Sequence, residues 1–534
     1  MSDHRVESGE RPLKDAPMSD DEAVLAALGR KDLLVRNWGF WNILGFAVTN
    51  LCSWEFATSL IGSTFLNGGP VAVVYGFIAT FFGILAINAS LAEMASMYPV
   101  AGGQYFWTFH FAPPRIRVFL SYLQGWLTSI AWQVGFVSTT VFLAEQIEAL
   151  IVLNHSSYVP KGWHTFLLMT MFSLIGLVIL TVGKKVLPVM QTISGVVHIV
   201  FFVIITVVLL SMSSKASSKF VWTKFVNNSG WSNNGISFCI GLLLPAFSIS
   251  GADGCVHMAE EVRNANRNIP RAFVYTLLIN GTMAFAFMVV SLYCITDLDA
   301  VLDTPTGFPI IEIFRQATKS NGAATVMDVM MMLIQATCSF CLLAAASRLA
   351  WSFSREEGFP GARTLAKVDS RLEVPLNAIL LSVTISILLS TIVIGSSVAL
   401  EAIVSLCTLS AFMSYTLPIG SFLWFRLTRT TPIAYGPWSL GRWGVPINIF
   451  ALCWCIFFVV ILPFPSEMPV TWEDMNYAGP IAGAVFCILT VDWLFRARYQ
   501  YFGPRMEITL EGTGEEPFEV EQRQEVTATK GKLP

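Results

Sequence analysis

Phe247-Ser248-Ile249-Ser250-Gly251-Ala252-Asp253-Gly254-Cys255-Val256-His257-Met258-Ala259-Glu260-Glu261-Val262 closes an apolar run that begins near residue 235. The run is long enough to cross a bilayer, which takes about 20 mostly apolar helical residues. Yet Ser248, Ser250, Gly251 and Gly254 crowd four flexible or backbone-competing residues into seven positions. Glycine weakens a helix interior, and serine offers the backbone a rival hydrogen bond. The stretch therefore reads as a spanning helix that is broken around Ser250 and Gly251, although the same small residues would also permit close helix packing. Lipid cannot satisfy the N–H and C=O groups that a break exposes, so a broken span has to line a cavity within the protein.

Similar apolar runs extend on both sides. Their expected limits are 38–61, 70–92, 117–148, 164–182, 188–212, 235–256, 272–296, 324–350, 375–395, 399–425, 445–464 and 477–495, an all-α polytopic membrane protein of about twelve transmembrane helices. The composition agrees: 54% hydrophobic and 13% charged residues with a mean hydropathy of +0.61 belong to a chain whose solvent is largely lipid. A formal charge of −3, with basic residues scattered singly between apolar runs, excludes nucleic acid as an expected partner. The ten cysteines lie almost entirely within apolar runs and imply no disulfide framework. Cys338 and Cys341 share a helix face without a second cysteine or histidine pair, so packing is expected there and no metal.

Basic residues decide orientation, because short cytoplasmic loops carry the excess of Lys and Arg. Loops on the N-terminal side hold Arg115, Arg117, Lys184, Lys185, Arg263, Arg267, Arg271, Arg355, Arg363, Lys367, Arg371, Arg426, Arg429 and Arg442. The opposite loops hold Lys161, Lys215, Lys219, Lys224, Arg315 and Lys319. Both termini are thus expected in the cytoplasm, with residues 1–37 and 496–534 as polar cytosolic tails, the second disordered. N-glycosylation sequons at Asn154 and Asn227 fall in loops on the outer side, whereas matches at Asn88 and Asn280 lie inside spans and are read as chance.

Two motifs carry a family resemblance. Leu91-Ala92-Glu93-Met94-Ala95-Ser96-Met97-Tyr98-Pro99-Val100-Ala101-Gly102-Gly103-Gln104-Tyr105 follows the second span, which Asn67-Gly68-Gly69-Pro70 opens. The second is residues 247–262, continued by Asn264, Asn268 and Ile269-Pro270-Arg271. Together they resemble the amino acid-polyamine-organocation superfamily, and the Gly-Ala-Asp-Gly form with His257 and Glu260-Glu261 is similar to its fungal amino acid/choline transporter branch. The resemblance covers residues 35 to 500 approximately. It implies a five-plus-five inverted repeat, with 38–212 against 235–425 and two added helices over 445–495, in which helices 1 and 6 are discontinuous. Half-helix ends at such breaks offer positive dipole ends to a carboxylate and free carbonyls to an amine near the midplane. By the same resemblance the first break falls about fifteen residues before Pro70, at Ser53-Trp54-Glu55-Phe56, where no glycine stands; Ser53 and, one turn earlier, Thr49 and Asn50 would have to supply it.

Glu55 is the most informative single residue, since an ionisable group in mid-span costs about 2.5–3.5 kcal/mol on insertion scales and is functional by default. Trp54 beside it can give an ammonium group a cation–π face. The expected substrate contacts are Thr49, Asn50, Ser53, Trp54, Glu55, Ser248, Ile249, Ser250, Gly251 and Asp253. Structural pairing of Glu55 with a neighbouring helix is the plainer alternative, as is a local backbone role for Asp253. Glu260 and Glu261, near Arg263 and Arg267, read as a gate or as structural ion pairs. His198, inside the fifth span, is a candidate proton carrier because histidine titrates near physiological pH. Trp132, Gln133 and Glu145 on the third span are weaker cavity candidates.

The reading is a secondary active transporter, not an enzyme, carrying a small amine or amino acid such as choline or GABA. A proton gradient is the expected energy source, with no cofactor. An exporter of an endogenous amine and a non-transporting nutrient receptor are alternatives on the same fold. The expected location is the cell membrane, with a vacuolar or other internal membrane as the alternative. No nucleophile-base-orienter set and no GxxxxGK[ST] phosphate loop stands in the chain.

Overall fold

Inside a bilayer a chain can satisfy its backbone only by hydrogen bonding to itself, and these apolar runs do so as helices. The structure, a computed structural model, describes residues 36–59, 61–395, 399–429, 432–471 and 475–504. Among them eleven helices are long and apolar enough to cross a membrane. In the order of the chain these are helix 2 (Gly69–Met97), helix 3 (Arg117–Asn154), helix 4 (Gly162–Thr181), helix 5 (Leu187–Met212), helix 6 (Asn234–Glu261) and helix 7 (Ala265–Cys294). Helix 8 (Asn321–Arg355), helix 9 (Leu376–Gly395), helix 10 (Ala402–Thr428), helix 11 (Gly441–Ile461) and helix 12 (Ala478–Gln500) complete the set. The first expected span is present as three short pieces, Phe40–Leu51, Ser53–Ser59 and Ile61–Leu66, here called helix 1. The described residues pack as one unit. Helix 12 runs past the expected limit of 495, and Tyr501 behind it is buried, its hydroxyl 2.6 Å from that of Ser121. The rest of both expected tails lies outside the described residues.

Helix 1 breaks at Cys52, not within Ser53 to Phe56. Cys52 takes the left-handed conformation (φ 45°, ψ 45°) and a new helix starts at Ser53. Asn280 of helix 7 accounts for the position. Its amide donates to the Val48 carbonyl before the break (3.3 Å), while the Ser53 hydroxyl after the break donates to the Asn280 carbonyl and Oδ1, both at 2.9 Å. One buried amide thus holds both sides of the kink and satisfies polar groups that lipid could not. Asn280 is therefore an interior staple, in keeping with dismissal of its sequon.

Helix 6 breaks where its sequence suggests. Leu243–Ile249 ends at Ser250, which is extended, and Gly251 turns the chain with φ 114° before a 3-10 stretch over Ala252–Glu261. That φ favours glycine because a Cβ would crowd the backbone. The two breaks meet: Asn50 Nδ2 donates to the Gly251 carbonyl at 2.8 Å. On the N-terminal side the pieces are joined again by an isolated bridge between Trp38 and Val262. Among the described residues there is no β-strand.

The side chains of both loop sequons are engaged. Asn154 Nδ2 donates to the Leu150 carbonyl and Thr325 Oγ1, and Asn227 Nδ2 donates to the Trp231 carbonyl and Asn234 Oδ1.

Candidate functional site

Between the two breaks lies a cavity, about 600 Å³ of empty space with open solvent included. Helix 1 gives it Asn50, Leu51 and Phe56, and helix 6 gives Phe247, Ser250, Gly251 and Asp253. Helix 3 lines it with Ala131, Trp132, Gly135, Ser138 and Thr139, residues that recur at helical spacing and so share one face. Cys338 and Leu342 come from helix 8, and Cys407, Thr408, Ala411, Ser414 and Tyr415 from helix 10. The walls are small or aromatic, one carboxylate faces the space, and the lining contains no Lys or Arg.

That carboxylate, Asp253, is buried and held from two sides. The Tyr415 hydroxyl donates to Oδ1 and the Gln104 amide to Oδ2, both at 2.6 Å. Neutral donors leave its negative charge uncompensated, so the cavity presents net anionic character. Asn50 Oδ1 is buried without a hydrogen-bond partner and adds a free acceptor on the helix 1 side. Gly254, next to Asp253, lets Trp132 and Asn50 pack close: a Cβ there would stand 2.7 Å from Trp132 Cη2 and 2.8 Å from Asn50 Nδ2. His257 packs edge-on against Trp132 at 5.5 Å and is anchored through Nδ1 to the Ala101 carbonyl at 2.9 Å.

Of the expected contacts, Asn50, Ser250, Gly251 and Asp253 face the cavity, and the others point elsewhere. Glu55, with Trp54, lies on the back of helix 1, where its Oε1 is 2.7 Å from His198 Nδ1 with both side chains fully buried. Trp54 packs against the rings of His198, Phe202 and Phe287. Ser53 belongs to the Asn280 staple, the Ser248 hydroxyl donates to the Pro245 carbonyl of its own helix, and Thr49 and Ile249 are buried off the lining. The cause is the turn at Cys52, which resets the helical phase and turns Phe56, not Glu55, toward the space.

Trp132 does line the cavity, whereas the Gln133 amide donates to Ser382 on helix 9 at 2.6 Å and Glu145 lines a separate cavity with Lys161 and Thr306. Phe56, Phe247, Gln104 and Tyr415 were not anticipated. A signal existed for helix 10, where Cys407, Thr408, Ala411, Ser414 and Tyr415 place small and polar side chains at helical spacing in an otherwise apolar run.

Glu260 and Glu261 do form ion pairs, but with helix 8 and not with Arg263 or Arg267. Glu260 meets Arg355 at 2.5 Å and Glu261 meets Arg348 at 3.0 Å. Arg355 also stacks over Trp351 at 4.0 Å. Beside them Glu93 pairs with Arg426, which also bonds Asn448, and accepts from the Leu440 N–H and Ser439 hydroxyl. Buried pairs of this kind are costly to break from one side, so they tie together helices 2, 6, 8 and 10 on the N-terminal face below the cavity. Among the described residues no group of His, Cys, Asp and Glu is arranged to hold a metal ion.

An all-α membrane protein whose first and sixth spans are both interrupted around a central cavity has the construction of a transporter that binds its cargo at mid-membrane. The amino acid permease family model matches residues 39–487, and the chain belongs to that family within the amino acid-polyamine-organocation superfamily. It is 32% identical over 503 residues to the choline transporter of Saccharomyces cerevisiae, covering 93% of this chain and 87% of that protein. Amino-acid permease BAT1 of Arabidopsis thaliana is 30% identical over 512 residues, covering 91% and 96%. The GABA-specific permease of Saccharomyces cerevisiae is 28% identical over 520 residues, covering 94% and 89%. The protein is accordingly a transporter of amino acids or amines and not an enzyme.

Proposed function

We propose that the protein is a proton-coupled importer of a small organic cation, with choline as the first candidate, acting at the cell membrane with both termini in the cytoplasm. The observation that carries this reading is Asp253, a buried carboxylate on the wall of a cavity lined by Phe56, Trp132, Phe247 and Tyr415 and lacking any basic side chain. A quaternary ammonium group is recognised by aromatic faces and by an anion it does not have to hydrogen-bond. Similarity to a choline transporter supports the same substrate class. A zwitterion such as GABA is the second reading, favoured by the exposed backbone at Ser250 and Gly251, which can answer a carboxylate where no Arg or Lys does.

The test is uptake of labelled choline, GABA, neutral and basic amino acids and polyamines at two external pH values, in cells lacking their own permeases. Choline accumulation that rises at acid pH and collapses with a protonophore is the expected result. Preference for an anionic or neutral solute, or outward movement against the gradient, would refute the reading.

A further inference from the structure

Among the described residues Asp328 stands apart from every other buried acid. It is fully buried on helix 8, Oδ2 has no hydrogen-bond partner, and Oδ1 accepts one long bond of 3.4 Å from the Gln146 amide of helix 3. The elements packed against helix 8 include helices 1, 3, 4, 5, 6 and 9 and the short helix Pro309–Thr318. Their carboxylates already have partners: Glu55 has His198, Glu148 has Tyr158 and Thr165, Asp253 has Tyr415 and Gln104, Glu260 has Arg355, Glu261 has Arg348, and Glu312 has Arg315. Glu145 opens on the separate cavity that also holds Lys161. No Lys or Arg among the described residues pairs with Asp328.

Two further amides lie along its path. Gln335, seven residues on, is fully buried with neither Nε2 nor Oε1 bonded, and Gln146 Oε1 is also without a partner. At 100° per residue, Asp328, Gln335, Cys338 and Leu342 fall within an arc of about 80° on helix 8, so the acid shares its face with residues of the central cavity. Gln146 likewise continues the face of Gly135 and Thr139 on helix 3. The rise of a helix puts Asp328 about 15 Å from Cys338 along the axis. One turn beyond it, at the end opposite the Glu260 and Glu261 ion pairs, helices 3 and 8 are closed by Asn154 bonding Thr325 and Asn321 bonding the Leu153 carbonyl.

An ionised carboxylate so placed would be buried with no counter-charge and too few donors, which a protein avoids by neutralising the group. We infer that Asp328 is the site of the cotransported proton, loaded from the outer side and emptied toward the central cavity along the face that carries Gln335. Loading forms the Oδ2–H bond from outer water and neutralises the side chain. Unloading breaks that bond in the inward-open state, gives the proton to water on the cytoplasmic side, and leaves an anion that waits for the next proton. The His198–Glu55 pair differs in kind, because a proton shared between Nδ1 and Oε1 is held by two partners and its movement leaves the charge of the pair unchanged. The inference rests on the proton-coupled reading above.

The experiment reconstitutes full-length protein in liposomes and measures, in the same preparation, choline/choline exchange and choline-driven proton entry with an internal pH dye. Wild type is expected to do both, and one pH unit should raise choline accumulation about tenfold for one proton per substrate. Asp328→Asn keeps the shape and the bond to Gln146. It should exchange choline at a near-normal rate, move no protons, and lose that tenfold gain. A variant that moves protons as wild type does would overturn the assignment while leaving the carrier reading intact. Wild type that exchanges choline without protons would overturn both coupling and Asp328, and wild type that carries no amine would overturn the functional reading itself. If the amide variant does not reach the membrane, Asp328→Glu decides: retained proton flux with a displaced pH profile supports the assignment, and an unchanged profile refutes it.

Discussion

Replacing Asp253 by Asn tests the cavity chemistry with the least change of shape. The carboxylate is held at 2.6 Å by the Tyr415 hydroxyl and at 2.6 Å by the Gln104 amide. An Asn side chain can keep the first bond, and rotation of Gln104, whose Oε1 has no partner, restores the second. The variant therefore loses charge and little else. At an effective dielectric of about 20, opposite charges about 5 Å apart attract by about 3 kcal/mol, which corresponds to about a 150-fold rise in the KM for choline when binding is rapid. Inhibition by 3,3-dimethylbutanol, an uncharged analogue of the same shape, should stay within about twofold. The assay is initial-rate uptake at matched surface expression, with the analogue as competitor. Equal losses for the charged and uncharged ligands, or an unchanged KM, would refute the claim that Asp253 reads the positive nitrogen.

Three further outcomes follow from the packing. Gly254→Leu should abolish uptake without loss of surface expression, because even a Cβ at that position lies 2.7 Å from Trp132; normal transport would show that the wall is not where the cargo passes. Cys52→Gly should keep transport and raise stability by up to about 1 kcal/mol, since glycine accepts the left-handed turn freely, while Cys52→Val should lose activity; thermal melting of the purified variants, with uptake, decides it. Glu93→Gln leaves Arg426 buried beside a neutral partner and should cost about 3–5 kcal/mol, seen as a lower melting temperature that Arg426→Met on the same background partly restores. In the loops on the N-terminal face Lys184 holds the Glu373 carboxyl below its ordinary range. What this exposed pair contributes is present at neutral pH and is lost as pH falls through that lowered value, so a Lys184→Ala difference in melting should vanish in acid.

The spans were legible because a run of about 20 apolar residues admits little but a membrane helix. The break in helix 6 was legible too, since Gly251 marks a backbone that few other residues adopt. The break in helix 1 was not. It depends on Cys52, a residue with no preference for the left-handed turn, and on Asn280, whose role as staple lies 228 positions away in the chain, from 52 to 280. Glu55 shows a different limit: the cost of burying it signals that something answers the charge, yet His198 answers it as well as a substrate would. Which face of a helix looks into a cavity depends on the phase set by each kink, and one unexpected turn at Cys52 moved Phe56 into the position assigned to Glu55.

Two thiols line the cavity, Cys338 and Cys407, while Cys453 and Cys487 are exposed on the outside of the bundle. Alkylation of each cysteine by a small thiol reagent, followed by mass spectrometry with and without saturating choline, asks directly whether the space between the two breaks holds the cargo. The account requires choline to slow modification of Cys338 and Cys407 and to leave Cys453 and Cys487 unchanged. Equal modification of all four with and without choline, in a preparation that transports it, would contradict the account.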